Sequence, residues 1–479
     1  MDALPVELVS SIFHWVVHST PSSSPSPASS HRDAYRKALS LSHVNQRLRD
    51  VAIGCPSLWT SVGITHDSHH QDSTTCLHRS KACPIDIHLD ASRLPPQKVA
   101  SVAADFARHV DRWFNAELNF EKSPADVTED LVHLFDRAFA TQPAPALKSL
   151  QIALPRSSGT SRAVSPPEAE RLESLSLKNL GFNWAKAAFP SLKELRLTGI
   201  NGPEAPSLHQ LTILLENAPN LETIQLQDFV PHTVADIEAI DAVPATFNAI
   251  TLPNLSQLTF NNACLSIVHL ILSHVSAPNL ERLAVHANNA PLNLDWSSIR
   301  RDTLAEVKSF SWSSWAEPTD AHGLRIAALY RALVSCLVTV QEVWLNGAMA
   351  VRDILPQPPA ATTEDAVLPR MTRLECNGLK GCELDLLVSL LSARACRGLP
   401  RLEQLSFSAR DFSTTASVGQ RAMEAVDEAI DSLKGMTGGL DIRDRQDGMG
   451  FRYTFLGWKD YRAHESRGRQ WEYEEEYEE

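Results

Sequence analysis

Apolar residues recur along most of this chain in one short phrase, Leu-x-x-Leu-x-Leu, with polar residues between them. Six copies follow a proline: FPSLKELRL at 189–197, APNLETIQL at 218–226, LPNLSQLTF at 252–260, APNLERLAV at 277–285, LPRMTRLEC at 368–376 and LPRLEQLSF at 399–407. Looser copies are LKSLQI at 147–152, LESLSL at 172–177, VKSFSW at 307–312 and VQEVWL at 340–345. The first apolar positions are Leu147, Leu172, Leu192, Leu221, Leu255, Leu280, Val307, Val340, Met371 and Leu402. The last part of each phrase alternates apolar and polar, which predicts a short strand with one buried face. Between phrases the spacing changes to that of a helix. Val268, Ile271, Leu272 and Val275 fall at i, i+3, i+4, i+7, as do Leu131, Leu134, Phe135 and Ala138, and Ile326, Leu329, Tyr330 and Leu333. The predicted unit is helix, proline-containing turn, strand. Proline suits the turn because it ends a helix and removes a donor.

The phrase advances by about 28 residues per copy, the period and core of a leucine-rich repeat. The chain resembles divergent members of that class, because single steps run from 20 to 34 residues. The Asn usual three positions after the last Leu is seen only as Asn288. One unit cannot bury its own apolar face, so neighbours must stack. The expected fold class is α/β, a leucine-rich-repeat solenoid with parallel strands on the concave face. The competing reading is an ordinary α/β domain with Leu-rich strands.

Residues 4–64 read differently. LPVELVSSIFHWVV predicts a helix, with Pro5 at its start and Glu7 where a carboxylate favours the N-terminus. Its apolar residues form two faces: Leu8, Ile12 and Trp15 on one, Val9, Phe13, Val16 and Val17 on the other. A module of this size covers one such face, so the other asks for a partner. The segments LPVEL…IF, LSLSHVNQRLRDVA and CPSLW together resemble the F-box module of fungal F-box-like proteins, which commonly continue into divergent leucine-rich repeats. HRSKACPIDIHL at 78–89 and RWFNAELNF at 112–120 then read as the first strands of the repeat domain. The chain departs from the family at Leu48, where Trp is usual, and in the Ser/Pro-rich insertion STPSSSPSPASSHRD, expected to be a loop.

The resemblance implies a substrate receptor of an SCF-type ubiquitin ligase. The F-box would dock a Skp-type adaptor, and through it the cullin complex, by Leu4, Pro5, Leu8, Ile12 and Val44. The repeats would hold the protein to be ubiquitinated, with no chemistry of the chain's own. The alternative is a repeat scaffold without a ubiquitin role, whose N-terminal helices only cap the solenoid. The organisation expected is a module over 1–64 (insertion 19–33), a solenoid over 65–412, a capping helix and hairpin over 413–463, and an acidic tail over 464–479. The cap rests on an amphipathic stretch at 417–434 and a hairpin turning at Asp447-Gly448.

In the phrase, the residue between the last two apolar positions points away from the core. That column reads Gln151, Ser176, Arg196, Gln225, Thr259, Ala284, Ser311, Trp344, Glu375 and Ser406. It is small or polar except at Trp344, which the register sets between Ser311 and Glu375, with Asn346, Glu342 and His286 expected on the same face. An exposed Trp among polar residues is a typical interface anchor. Trp344, Asn346, Glu342, Glu375 and His286 are therefore the expected substrate-binding residues.

The net charge of −13 argues against a general nucleic-acid binder. The sequence begins MDALPVEL, without a positive or apolar leader, and the eight Cys are scattered without a C-x-x-C, which fits reduced thiols in the cytoplasm or nucleus. His66, His69, His70, Cys76, His78 and Cys83 are metal-ligand types, but their spacing matches no standard zinc signature; the stretch 66–83 reads as a polar loop leading into a strand. Nucleophile-elbow, Walker A and H-E-x-x-H motifs are absent, so neither catalysis nor a cofactor is expected.

Overall fold

The computed structural model describes residues 4–19, 27–66, 69–156, 163–230, 250–287, 298–314, 321–346, 368–380, 384–410, 420–446 and 449–453. The chain divides into two compact units, Met1–Leu304 and Ala305–Glu479. Asn288, the tip of the predicted hairpin at 447–448 and the acidic tail lie outside the described residues.

The first unit opens with three helices, α1 (Val6–His18), α2 (Pro27–Ser42) and α3 (Gln46–Gly54). Asn45 caps α3, its side-chain oxygen accepting from the Leu48 amide at 2.8 Å. Leu48, where the resemblance expects Trp, is buried in the module. The Ser/Pro-rich insertion departs from expectation. Residues 20–26 are outside the described set, but from Pro27 onward the chain is helical, and the predicted loop is instead the first turns of α2. Proline is compatible with a first helical turn, and the helix continues into a face that packs at Ala34 and Ala38.

Strand and helix then alternate: β1 (Ser61–Ile64), α4 (His70–Arg79), β2 (Ile85–Asp90), α5 (Pro96–Ala107), β3 (Trp113–Asn119), α6 (Ala125–Thr141) and β4 (Ser149–Ala153). The expectation of a polar loop over 66–83 fails at α4. This helix has only a narrow buried stripe, Ser73, Cys76 and Leu77, too slight to show as an apolar period. Next come β5 (Ala163–Val164), β6 (Ser174–Lys178), β7 (Gly181–Phe182), β8 (Glu194–Thr198), α7 (Leu208–Glu216), β9 (Thr223–Gln227), β10 (Ile250–Thr251), β11 (Gln257–Asn261), a helix at Leu265–His274, β12 (Val275–Ser276) and β13 (Arg282–Ala287). Val275, counted on the sequence as helical, is already in a strand.

The main sheet of this unit runs β1-β2-β3-β4-β6-β8-β9-β11-β13, every pair parallel and in sequence order. β5 with β7 and β10 with β12 form two small parallel pairs. Every first apolar position from Leu147 to Leu280 is fully buried. An L-x-x-L-x-L column stacked in register thus makes one continuous core. Truncating one such Leu to Ala is expected to cost about 2–5 kcal/mol.

The second unit repeats the plan with β14 (Ser309–Ser314), a helix at Ala321–Cys336, β15 (Glu342–Asn346), β16 (Arg373–Lys380), a helix at Leu384–Cys396, β17 (Gln404–Arg410), a helix at Gln420–Met436, β18 (Leu440–Gln446) and β19 (Met449–Tyr453). Strands β14 to β18 are parallel, and β19 turns back antiparallel on β18, forming the expected terminal hairpin. Val307, Val340, Met371 and Leu402 are buried as their counterparts are.

A turn device accompanies the strands two positions after the last Leu. Asn179, Gly199, Asp228 and Asn262 occupy it, all with positive φ between 47° and 66°. Each backbone N–H donates to the next strand, as from Asn179 to the Thr198 carbonyl at 2.9 Å and from Asn262 to that of His286 at 2.8 Å. The Asn179 amide also donates to the Leu154 carbonyl at 2.7 Å, and that of Asn262 to the Asp228 carboxylate at 2.6 Å. Asn, Asp and Gly are the residues that accept this left-handed conformation.

Candidate functional site

The first candidate surface is α1. Val9, Phe13 and Val17 are buried against α2, α3 and the Pro56–Trp59 turn. The opposite face is bare: Leu8 is 52% exposed, Ile12 49% and Trp15 72%. Leu4, just before the helix, extends this face; Pro5 and Val6, at the helix start, are also exposed, although Val6 falls on the side of Val9, Phe13 and Val17. The Arg47 guanidinium donates to the Leu4 carbonyl, drawing the start of α3 against the start of α1. Val44, 63% exposed, lies just before that α3 start. Leu4, Pro5, Leu8, Ile12 and Val44 are therefore all exposed, around α1 and the α3 start. Trp15 and Val6 were not among the expected docking residues. Trp15 carried the signal, three residues beyond Ile12 on the same helical face.

The second candidate surface lies on β15 and β16. Trp344 is in register with Ser311 on one side and Glu375 on the other, with Ser406 beyond. It is half-buried on the face opposite Val343 and Leu345, which belong to the core. Glu342 is paired with Arg373 at 2.9 Å, and Arg373 also donates to the Gln404 side-chain oxygen at 2.9 Å. Asn377 donates to Glu375 at 3.2 Å, and Asn346 lies beside Asn377 in the next row. Trp344 thus sits on a shelf of paired polar groups, of which Arg373 and Gln404 were not foreseen. Arg373 stands opposite Glu342 and Gln404 in adjacent copies of the phrase, a cross-strand pattern visible once the register is fixed. His286 belongs to the first unit, at the end of β13, where burial lowers its pKa.

In the first unit the column is polar from Glu117 through Gln151, Ser176, Arg196, Gln225 and Thr259 to Ala284, in unbroken register. At its start, α2 lies on the sheet. His31 stacks on His88 with ring centroids 5.6 Å apart and planes 10° apart, and its Nδ1 is 2.7 Å from the Ser61 hydroxyl. His88 Nδ1 in turn meets Glu117 at 2.9 Å. Burial, with the neighbouring His88 second, pushes the His31 pKa down to about 4, and the hydrogen bond from His88 holds Glu117 below its usual range. Gly63 permits the approach, since a Cβ there would lie 2.7 Å from that of His31.

Among the described residues no group of three or more His, Cys, Asp or Glu is placed to hold a metal ion, and no helix is long and apolar enough to cross a membrane. No protein-family model matches the chain, and neither does any curated protein. Among solved structures, one match is a chain of the crystal structure of a TLR13-ssRNA13 complex. It is 13% identical with a TM-score of 0.26, over 61% of this chain and 42% of that one.

Proposed function

We propose that the chain is a substrate receptor of an SCF-type ubiquitin ligase. The bare face of α1, with Leu4, Pro5, Leu8, Ile12 and Val44, docks a Skp-type adaptor and so joins the cullin complex. The repeats, a divergent leucine-rich-repeat solenoid, hold the target protein around Trp344. The observation that carries the reading is α1 itself: one apolar face is covered by the module and the other carries Leu8, Ile12 and Trp15 in solvent. Single exposed apolar residues are ordinary, but a stripe of them on one helix is the mark of an interface. In such a receptor the chain performs no chemistry and acts by raising local concentration.

The second reading is a repeat scaffold whose N-terminal helices serve as a cap. The seating of α2 on β1 and β2 through His31 favours it. The two readings differ in what α1's outer face is for. Leu8→Asp places an unpaired carboxylate in the docking contact, at a cost of several kcal/mol if the face is buried there. The expected outcome is loss of co-purification with a Skp-type adaptor, while the circular dichroism of the chain is unchanged. Normal stoichiometry with the adaptor in this variant would leave only the scaffold.

A further inference from the structure

We propose that the open groove between the end of α3 and the outer face of α4 binds an acidic peptide segment of a partner protein. The groove is a hollow of ≈ 930 Å³. Its α4 wall is one helical face, Gln71, Thr74 and His78 at i, i+3 and i+7, continued by Arg79 and Lys81. The opposite face of α4 is the buried one, with Ser73 donating to the Gly63 carbonyl at 3.2 Å. The groove wall is therefore the side of α4 that the fold does not use.

Its charge is one-sided. The Arg79 guanidinium sits 4.4 Å from the centre of the Trp59 ring, and that ring is fully buried with its N–H donated to the Ala52 carbonyl at 2.9 Å. The cation is thus held in place before any ligand arrives. His78 and Lys81 are exposed, and among the described residues neither has an ion-pair partner. Neighbouring carboxylates are occupied: Asp72 accepts the Tyr35 hydroxyl at 2.9 Å, Asp105 is shared by His70 and Arg108, each at 3.0 Å, and Asp50, a turn before Ile53, accepts from the Gln46 amide at 3.1 Å. No carboxylate lines the groove. In a chain of net charge −13 such a region runs against the whole-molecule field and selects anions locally.

The remaining lining decides which anion. Gln71 and Thr74 offer neutral polar groups along the wall, and Ile53 on the α3 side is 40% exposed, an apolar shelf for a side chain between acidic residues. An open trough with cations on one wall and an apolar shelf on the other suits an extended segment of Asp, Glu or phosphorylated Ser and Thr. A nucleic acid fits less well, since no Phe, Tyr or Trp lines the groove to stack on bases and the net charge repels a dense polyanion. The inference does not rest on the adaptor reading, which concerns α1.

The test is fluorescence anisotropy on the full chain with three labelled probes: Glu-Glu-Leu-pSer-Glu-Glu, the same peptide with Ser, and Lys-Lys-Leu-Ser-Lys-Lys. The two acidic peptides are expected to bind, more weakly as salt is raised, and the basic one not to bind. Their order names the preferred anion, phosphate or carboxylate, and either order supports the acidic class. His78→Glu with Lys81→Glu should weaken the acidic peptides by about tenfold or more without changing the melting curve, and Lys81→Arg should retain binding. The proposal is overturned if the double reversal leaves affinity unchanged, if no acidic peptide binds, or if a single-stranded oligonucleotide of equal charge binds the groove more tightly.

Discussion

Burial makes an imidazole costly to protonate, and His31 shows what that means for this fold. Its pKa is pushed to about 4 from an ordinary 6.5, while Glu117, facing it across His88, is held below its own ordinary range. The other groups around it are the Ser61 hydroxyl and, beside Glu117, the Asp90 carboxylate. A depressed pKa means that the folded chain refuses a proton the unfolded chain accepts. The stability His31 contributes is complete above pH 6.5 and is lost as the pH falls toward 4, with the Glu117 contribution lost lower still. Near pH 5 one such proton tilts stability by about 1.4 kcal/mol per pH unit. In His31→Gln, urea unfolding between pH 7 and pH 5 should therefore show a shallower loss of stability than in the parent chain. Equal slopes would show that His31 titrates normally. Trp344 is the second single residue on which much depends. Because its ring lies off the core face, Trp344→Ala should leave thermal stability nearly unchanged and, if the repeats hold a target as proposed, weaken its capture by about 2 kcal/mol or more. An unfolded variant, or one that captures the same proteins as well, would remove Trp344 from the site.

At the scale of elements, what the sequence disclosed is what a period can carry. The alternation within each phrase set the strands, and the register of Ser311, Trp344 and Glu375 followed from aligning the phrases. The two faces of α1 were legible for the same reason, since 3.6-residue spacing sorts Val9, Phe13 and Val17 from Leu8, Ile12 and Trp15. Features without a period were missed. Helix α4 buries three small or medium residues and is otherwise polar, so its pattern resembles a loop. The start of α2 was hidden by its Ser and Pro content, which is unfavourable in isolation but offset by packing further along. The turn residues Asn179, Asp228 and Asn262 were present in the sequence, one position before the place searched, and only the positive φ explains them. Least legible was the seating of α2 on Gly63, because a glycine in a strand gives no sign of what approaches it. That contact has a consequence at this scale. Gly63→Ala puts a methyl group 2.7 Å from the His31 Cβ, so α2 or β1 must shift. The expected loss is about 1–3 kcal/mol, with faster proteolysis within α2. An unchanged melting temperature would show that the two elements separate freely.

On the scale of the molecule, the two candidate surfaces belong to different compact units, the α1 face to Met1–Leu304 and the Trp344 shelf to Ala305–Glu479. In a stack of repeats stability is nearly a sum of local terms, so a surface substitution in one unit has little route to the other. Substitutions with no shared partners contribute additively, within about 0.5 kcal/mol. If the chain is the receptor proposed above, it should show two separable defects. Leu8→Asp should abolish adaptor binding and leave capture of target proteins by purified chain unchanged. Trp344→Ala should do the reverse. The double variant should combine the two losses and add none, and its shift in melting temperature should equal the sum of the single shifts. Binding to adaptor and target would be measured separately for all four chains. If Leu8→Asp also removed target capture, the two surfaces would be one coupled site and the division of labour between units would be wrong. If each variant lost only its own partner, the chain would act as a bridge, holding two proteins by two independent faces and bringing them together without altering either.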